Sequence, residues 1–155
     1  MSGLSIASYF PFLRVKLSQQ SVDAEACVAH IHAEPDLRFH PICHVCGQKG
    51  SGAHSWMQRT VRDLNFATAR VWVNCRYREL FCLTCHCTHI EDLGLFHPYL
   101  RVTNRLALYV YHLCRVMTVS EVADHLDLNW KTVKAIDKQN LERDYGTPDY
   151  PGLRI

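Results

Sequence analysis

Two Cys-x-x-Cys pairs, Cys43-His44-Val45-Cys46 and Cys82-Leu83-Thr84-Cys85, stand 35 residues apart and constrain this chain more than any other feature. Each pair can wrap a tight turn that aims both sulfurs, and the turn's backbone amides, at one centre. Two such turns brought together make a closed tetrahedral thiolate site, the usual geometry of structural zinc. Gly47 directly follows the first pair, where the backbone often needs a positive φ. The expected ligands are Cys43, Cys46, Cys82 and Cys85, and the expected cofactor is Zn2+. Three other readings exist: four unrelated buried cysteines, a redox pair opening a helix after a strand, and iron held by four thiolates. Two matched pairs in turn-like surroundings argue against a redox role. Small iron carriers of that kind are usually acidic, and this chain carries a formal net charge of +2.

The compartment bears on the same question. The stretch Leu4 to Leu13 is mildly apolar but broken by Ser5, Ser8 and Pro11, with no basic residue before it. No secretory signal is expected, and no window approaches the roughly 18 apolar residues of a membrane span. A cytoplasmic chain is the expectation, and its eight cysteines then point to metal rather than disulfides. Cys87 with His86 or His89 could substitute at the second pair or support it from behind. Cys27 in an N-terminal strand, Cys75 in mid-strand and Cys114 in a helix read as small core residues.

Charge is distributed unevenly. Residues 54–82 carry five Arg against two acids, and residues 101–143 seven basic against five acidic side chains. Two basic blocks inside a bland total are compatible with a nucleic-acid footprint. In the first block, Val71, Val73, Cys75 and Tyr77 alternate with Arg70, Trp72, Asn74, Arg76 and Arg78. Period two predicts a strand with one face packed and the other presenting guanidinium groups and an indole. Arg70, Trp72, Arg76 and Arg78 are therefore candidate DNA contacts, set against a plain solvated strand face. Ala26 to Ala33 alternates loosely and predicts another strand, ended by Glu34-Pro35-Asp36.

After His97-Pro98 the periodicity becomes helical. Thr103 can cap a helix with Leu106, Tyr109, Val110, Leu113 and Met117 inward. Thr118-Val119-Ser120-Glu121 is a capping box opening a short helix to Leu126. Asp127 and Leu128 make a turn, and Asn129 caps a helix from Trp130 to about Glu142. Small Ala123, the plug Leu128, and the anchors Val133 and Ile136 have the spacing of a helix-turn-helix. With Leu141 also inward, Trp130, Lys131, Thr132, Lys134, Lys138 and Gln139 remain for the exposed face. Trp130, Lys131, Thr132, Lys134 and Lys138 are the DNA contacts expected there, against an ordinary helical hairpin with a solvated lysine face.

From about Phe39 to Ile155 the chain resembles the N-terminal region of the ISL-three family of bacterial insertion-sequence transposases. The resemblance rests on Cys43-His44-Val45-Cys46-Gly47, Val61-Arg62-Asp63-Leu64, Arg76-Tyr77-Arg78 ahead of Cys82 and Cys85, and Trp130-Lys131-Thr132-Val133-Lys134-Ala135-Ile136-Asp137. It implies a zinc finger and a helix-turn-helix that bind terminal inverted repeats as double-stranded DNA, with a possible homodimer and no membrane. A later RNase-H-like domain cuts and joins strands in that family. Pro151 to Ile155 resembles the lead-in to its first catalytic strand, and none of Asp137, Asp144 or Asp149 matches a catalytic position. The expectation is an α+β chain that recognises DNA without cutting it. Its divisions are a strand-rich extension at 1–38, a zinc-ribbon-like antiparallel β domain at 39–97, an all-α helix-turn-helix domain at 98–143 and a linker at 144–155. Such a chain would work in the bacterial cytoplasm, at the nucleoid. Rival readings are a DNA-binding repressor derived from a transposase and a zinc-ribbon protein-interaction module.

Overall fold

Strand β4 (Ala69–Cys82) organises the first half of the molecule because three other strands hydrogen-bond to it. The computed structural model describes residue 10 and residues 12–146. The chain divides after Arg105 into two compact units. In the first, β1 (Val15–Asp23) and β2 (Val28–Pro35) form an antiparallel hairpin, and β3 (Ala53–Phe66) and β4 form a longer one. β2 joins β4 in parallel, from Val28 beside Arg70 to Ala33 beside Cys75. The short β5 (Cys87–Ile90) takes the same edge of β4 further along, from Glu79 to Cys82. The sheet order is therefore β1-β2-β4-β3, with β5 continuing the edge that β2 leaves.

The expected N-terminal extension is thus part of one sheet with the cysteine-bearing hairpin. Nothing in the local alternation of residues 28–33 specifies a parallel partner some 40 residues away; burial of one face decides it. Cys27, expected in a strand, sits in the β1–β2 turn at φ 52, and Ala67 turns the β3–β4 hairpin at φ 50. The packed face of the sheet carries Ala29, Ile31, Ala33, Val61, Val71, Val73, Cys75 and Tyr77, all buried. Leu93, Leu95 and Phe96, from the segment after β5, complete that core. Burial of each large side chain there is worth about 1.5–3 kcal/mol.

The second unit contains a helix-turn-helix. α1 (Asn104–Cys114) begins just before the division, followed by α2 (Val119–Leu126) and α3 (Trp130–Tyr145). Thr118 and Glu121 form the reciprocal capping box, and Asp127 closes α2 in the left-handed conformation, φ 52 and ψ 51. Asp adopts that region more readily than most residues, so a turn without glycine is tolerated. The Leu128 N–H donates to Ala123 O at 2.9 Å, and the Asn129 side chain accepts from Lys131 N–H. Val122, Ala123, Leu126, Val133 and Ile136 are buried.

Two helical positions differ from the periodicity reading. Tyr109 and Leu141, expected inward, are exposed, while Tyr111 and Asn140 are buried. Asn140 is one turn beyond Ile136 on the same face of α3, and it donates to Ile136 O at 2.8 Å. The Tyr111 hydroxyl donates to Asp144 at 2.8 Å, so a phenol enters without losing its polar partner.

Candidate metal centre and nucleic-acid interface

The four predicted cysteines converge: the sulfurs of Cys43, Cys46, Cys82 and Cys85 all lie within 4.8 Å of one another. A tetrahedral site with metal–sulfur bonds of about 2.3 Å sets its sulfurs about 3.8 Å apart. The Cys46 and Cys82 sulfurs are 3.4 Å apart, so the separations bracket that spacing, as a four-thiolate metal site requires. Both turns are built alike. The residue after each second cysteine has positive φ, Gly47 at 69 and His86 at 55. Gly47 N–H donates back to Cys43 O at 2.8 Å, and Cys85 N–H donates to the Cys82 sulfur at 3.4 Å.

The surroundings tune these thiols. The Cys85 amide aimed at its sulfur draws Cys82 down to about 6, toward the thiolate that a metal requires. Cys85 is raised, first by the hydrogen bond from its thiol to Cys46. Leu80 packs against the cluster, and a β-carbon at Gly50 would meet Leu80 Cδ1 at 2.5 Å, so a larger residue there would have to displace the Leu80 side chain. Cys87 and His89 do not join the four. They pair with each other, Sγ to Nε2 at 2.9 Å, on the exposed side of β5.

The arginine face divides in an unexpected way. Arg70 and Arg76 are exposed and Trp72 is half-buried beneath the Arg62 guanidinium, 5.6 Å from its ring. Arg78 is not on an open face. Its side chain is buried and ion-paired with Glu91, Nη2 to Oε2 at 2.6 Å and Nε to Oε2 at 2.8 Å. The Arg78 N–H also donates to Glu91 Oε1 at 2.7 Å. Alternation along β4 cannot reveal that the chain after β5 returns to cover this position.

On the helical unit the expected pattern holds in placement. Trp130, Lys131, Lys134 and Lys138 are exposed on α3 and Thr132 is half-buried. Trp130, 52% exposed, lies under the Lys131 ammonium at 5.8 Å. Lys138 leans toward Glu142 at 3.7 Å, which leaves Lys131 and Lys134 as the cations nearest the N-terminus of α3. Trp56, on β3, escaped the sequence reading. It is 42% exposed, and the Arg76 guanidinium lies 4.3 Å from its ring centroid. No apolar alternation runs through residues 53–60, and only the hairpin register, which sets Trp56 opposite Arg78, brings it near Arg76.

A β unit with a four-cysteine cluster, followed along the chain by a helix-turn-helix, points to a DNA-binding class of protein. Residues 91–139 match the helix-turn-helix domain of transposase family ISL3. The transposase for insertion sequence element IS1001 of Bordetella parapertussis is 35% identical over 109 residues, covering 70% of this chain and 27% of that relative. Residues 91–139 are therefore similar to an ISL3-type transposase helix-turn-helix, and the chain spans about a quarter of the relative it matches. No solved structure matches the chain. Among the described residues, no helix is long and apolar enough to cross a membrane.

Proposed function

We propose that this chain recognises the terminal inverted repeats of a transposon as duplex DNA, as the recognition part of a transposase, with one structural Zn2+ held by Cys43, Cys46, Cys82 and Cys85. The observation that carries the reading is α3. A well-capped helix begins at Trp130 with an indole and two lysines exposed in its first turns, behind a turn of helix-turn-helix geometry. The N-terminal residues of such a helix reach base edges in the major groove, and nearby lysines hold phosphates. Trp130, Lys131, Thr132, Lys134 and Lys138 are assigned to this contact, and Arg70, Trp72 and Arg76 to a secondary one on the sheet. Arg78 is withdrawn from the contact set because Glu91 neutralises it in the interior. The metal acts as a cross-link between two turns of a small β unit, and its binding energy contributes to folding directly.

Within these residues we assign recognition and no strand cleavage, and the two repeats of an element call for two copies, one at each end. The setting is the bacterial nucleoid. A gel shift with a duplex carrying the terminal repeat, against the same duplex scrambled, tests the reading. A preference for the repeat is expected, and equal binding of both duplexes would reduce the chain to a nonspecific binder.

A further inference from the structure

On one edge of β4, β2 stops at Cys75 and β5 begins at Glu79, and Glu91 takes the backbone of Arg78, so no strand of the described residues pairs with positions 76 and 77 there. β2 cannot continue because it ends at Pro35, which has no N–H to donate. A cleft of about 630 Å³ lies here, lined by Pro35, Leu37, Trp56 and Arg76 among others. Lys16 stands on its rim. Among the described residues no carboxylate forms an ion pair with Arg76, whose guanidinium stacks on Trp56 instead.

We propose that this cleft takes a single unpaired nucleotide of a DNA strand, its base displacing the Arg76 guanidinium from the Trp56 ring and its phosphates taken by that guanidinium and Lys16. The inference rests on the DNA reading above and adds a second substrate form, single-stranded DNA, to the duplex. Three features favour an extruded base over continuous duplex backbone. The cleft is walled by an indole, a proline ring and a leucine, the apolar surroundings a base face wants. Its volume is that of a small-ligand site and not of a groove. Glu34 and Asp36 also line it, and Asp36 is neutralised by Arg38 at 2.5 Å, so the cleft is no uninterrupted positive track. A carboxylate such as Glu34 repels a run of phosphates but accepts a hydrogen bond from an exocyclic amino group such as that of cytosine.

The test is fluorescence anisotropy of a short labelled oligodeoxycytidine, and separately of a duplex bearing the terminal repeat, with the full zinc-loaded chain. Trp56→Ala should weaken single-strand binding roughly tenfold, the effect of losing one stacked base. Trp56→Phe should restore most of it, and Arg76→Gln should weaken it with lower salt dependence. The Lys131→Ala, Lys134→Ala double variant should keep single-strand affinity while losing duplex affinity. Unchanged single-strand binding in Trp56→Ala, or none in the native chain, would overturn the cleft assignment, as would burial of Trp56 by a second copy of the chain. Unchanged duplex binding in the lysine variant strikes the recognition-helix reading alone.

Discussion

Asp63 accepts hydrogen bonds from Leu64 N–H at 2.9 Å, the Thr103 hydroxyl at 2.6 Å and Arg105 Nε at 2.7 Å, and its other oxygen accepts from Arg105 Nη2 at 2.5 Å. The carboxylate is fully buried, so these partners replace its lost hydration. The Arg62–Val102 bridge beside it ties residues 101–103 to β3. The Asp63 of the family-like Val-Arg-Asp-Leu segment thus pins the residues that lead into α1, a role that residue identity alone does not disclose. Asp63→Asn should cost about 3 kcal/mol in urea unfolding, the low end for a broken buried pair because Arg105 is 27% exposed. A loss below about 1 kcal/mol would mean that the pair is only a surface contact. Cysteines split in the same way. Burial pushes the Cys75 thiol up to about 12, so it should resist alkylation until the sheet unfolds, as pulsed labelling with mass spectrometry would report. Cys43→Ser or Cys82→Ser should instead abolish metal retention, measured by elemental analysis, and unfold the β unit.

At the scale of elements, the capping box of α2 is the clearest local device. The Thr118 N–H donates to Glu121 Oε2 at 2.8 Å, and Glu121 N–H donates to the Thr118 hydroxyl oxygen. The Thr118 amide, followed by its hydroxyl, holds the Glu121 carboxyl below its ordinary range. A depressed carboxyl contributes its stability above the unfolded-state value and loses it as pH falls through the lowered one. The helical unit should therefore lose stability on acidification into that range, and Glu121→Gln should flatten this limb in circular dichroism melts taken across pH. Thr118→Ala should cost about 1 kcal/mol at neutral pH. The helices were legible because caps and periodicity act over a single turn. Leu141 and Tyr109 were misplaced because the inward face of a helix is set by what packs against it, and near α3's end that face passes through Asn140.

For the whole molecule, the two units should respond separately. Chelation of the metal should erase the native signals of the β unit in a two-dimensional NMR spectrum while those of α2 and α3 persist; joint collapse would show that one cannot stand without the other. Lys131→Ala with Lys134→Ala should flatten the salt dependence of duplex binding, by about 0.9 in the log–log slope for each phosphate contact removed. An unchanged slope would put the interface elsewhere. The two Cys-x-x-Cys pairs, the alternating strand through residues 70–78 and the helix-turn-helix were legible along the chain. Each is written in spacings of two to four residues, where backbone geometry leaves few options. The fold alone sets β2 parallel to β4, returns Glu91 to bury Arg78, and gathers Pro35, Trp56 and Arg76 around one cleft. Those are encounters between residues far apart in the chain, chosen by which faces can be buried together and which charges can be paired once water is excluded.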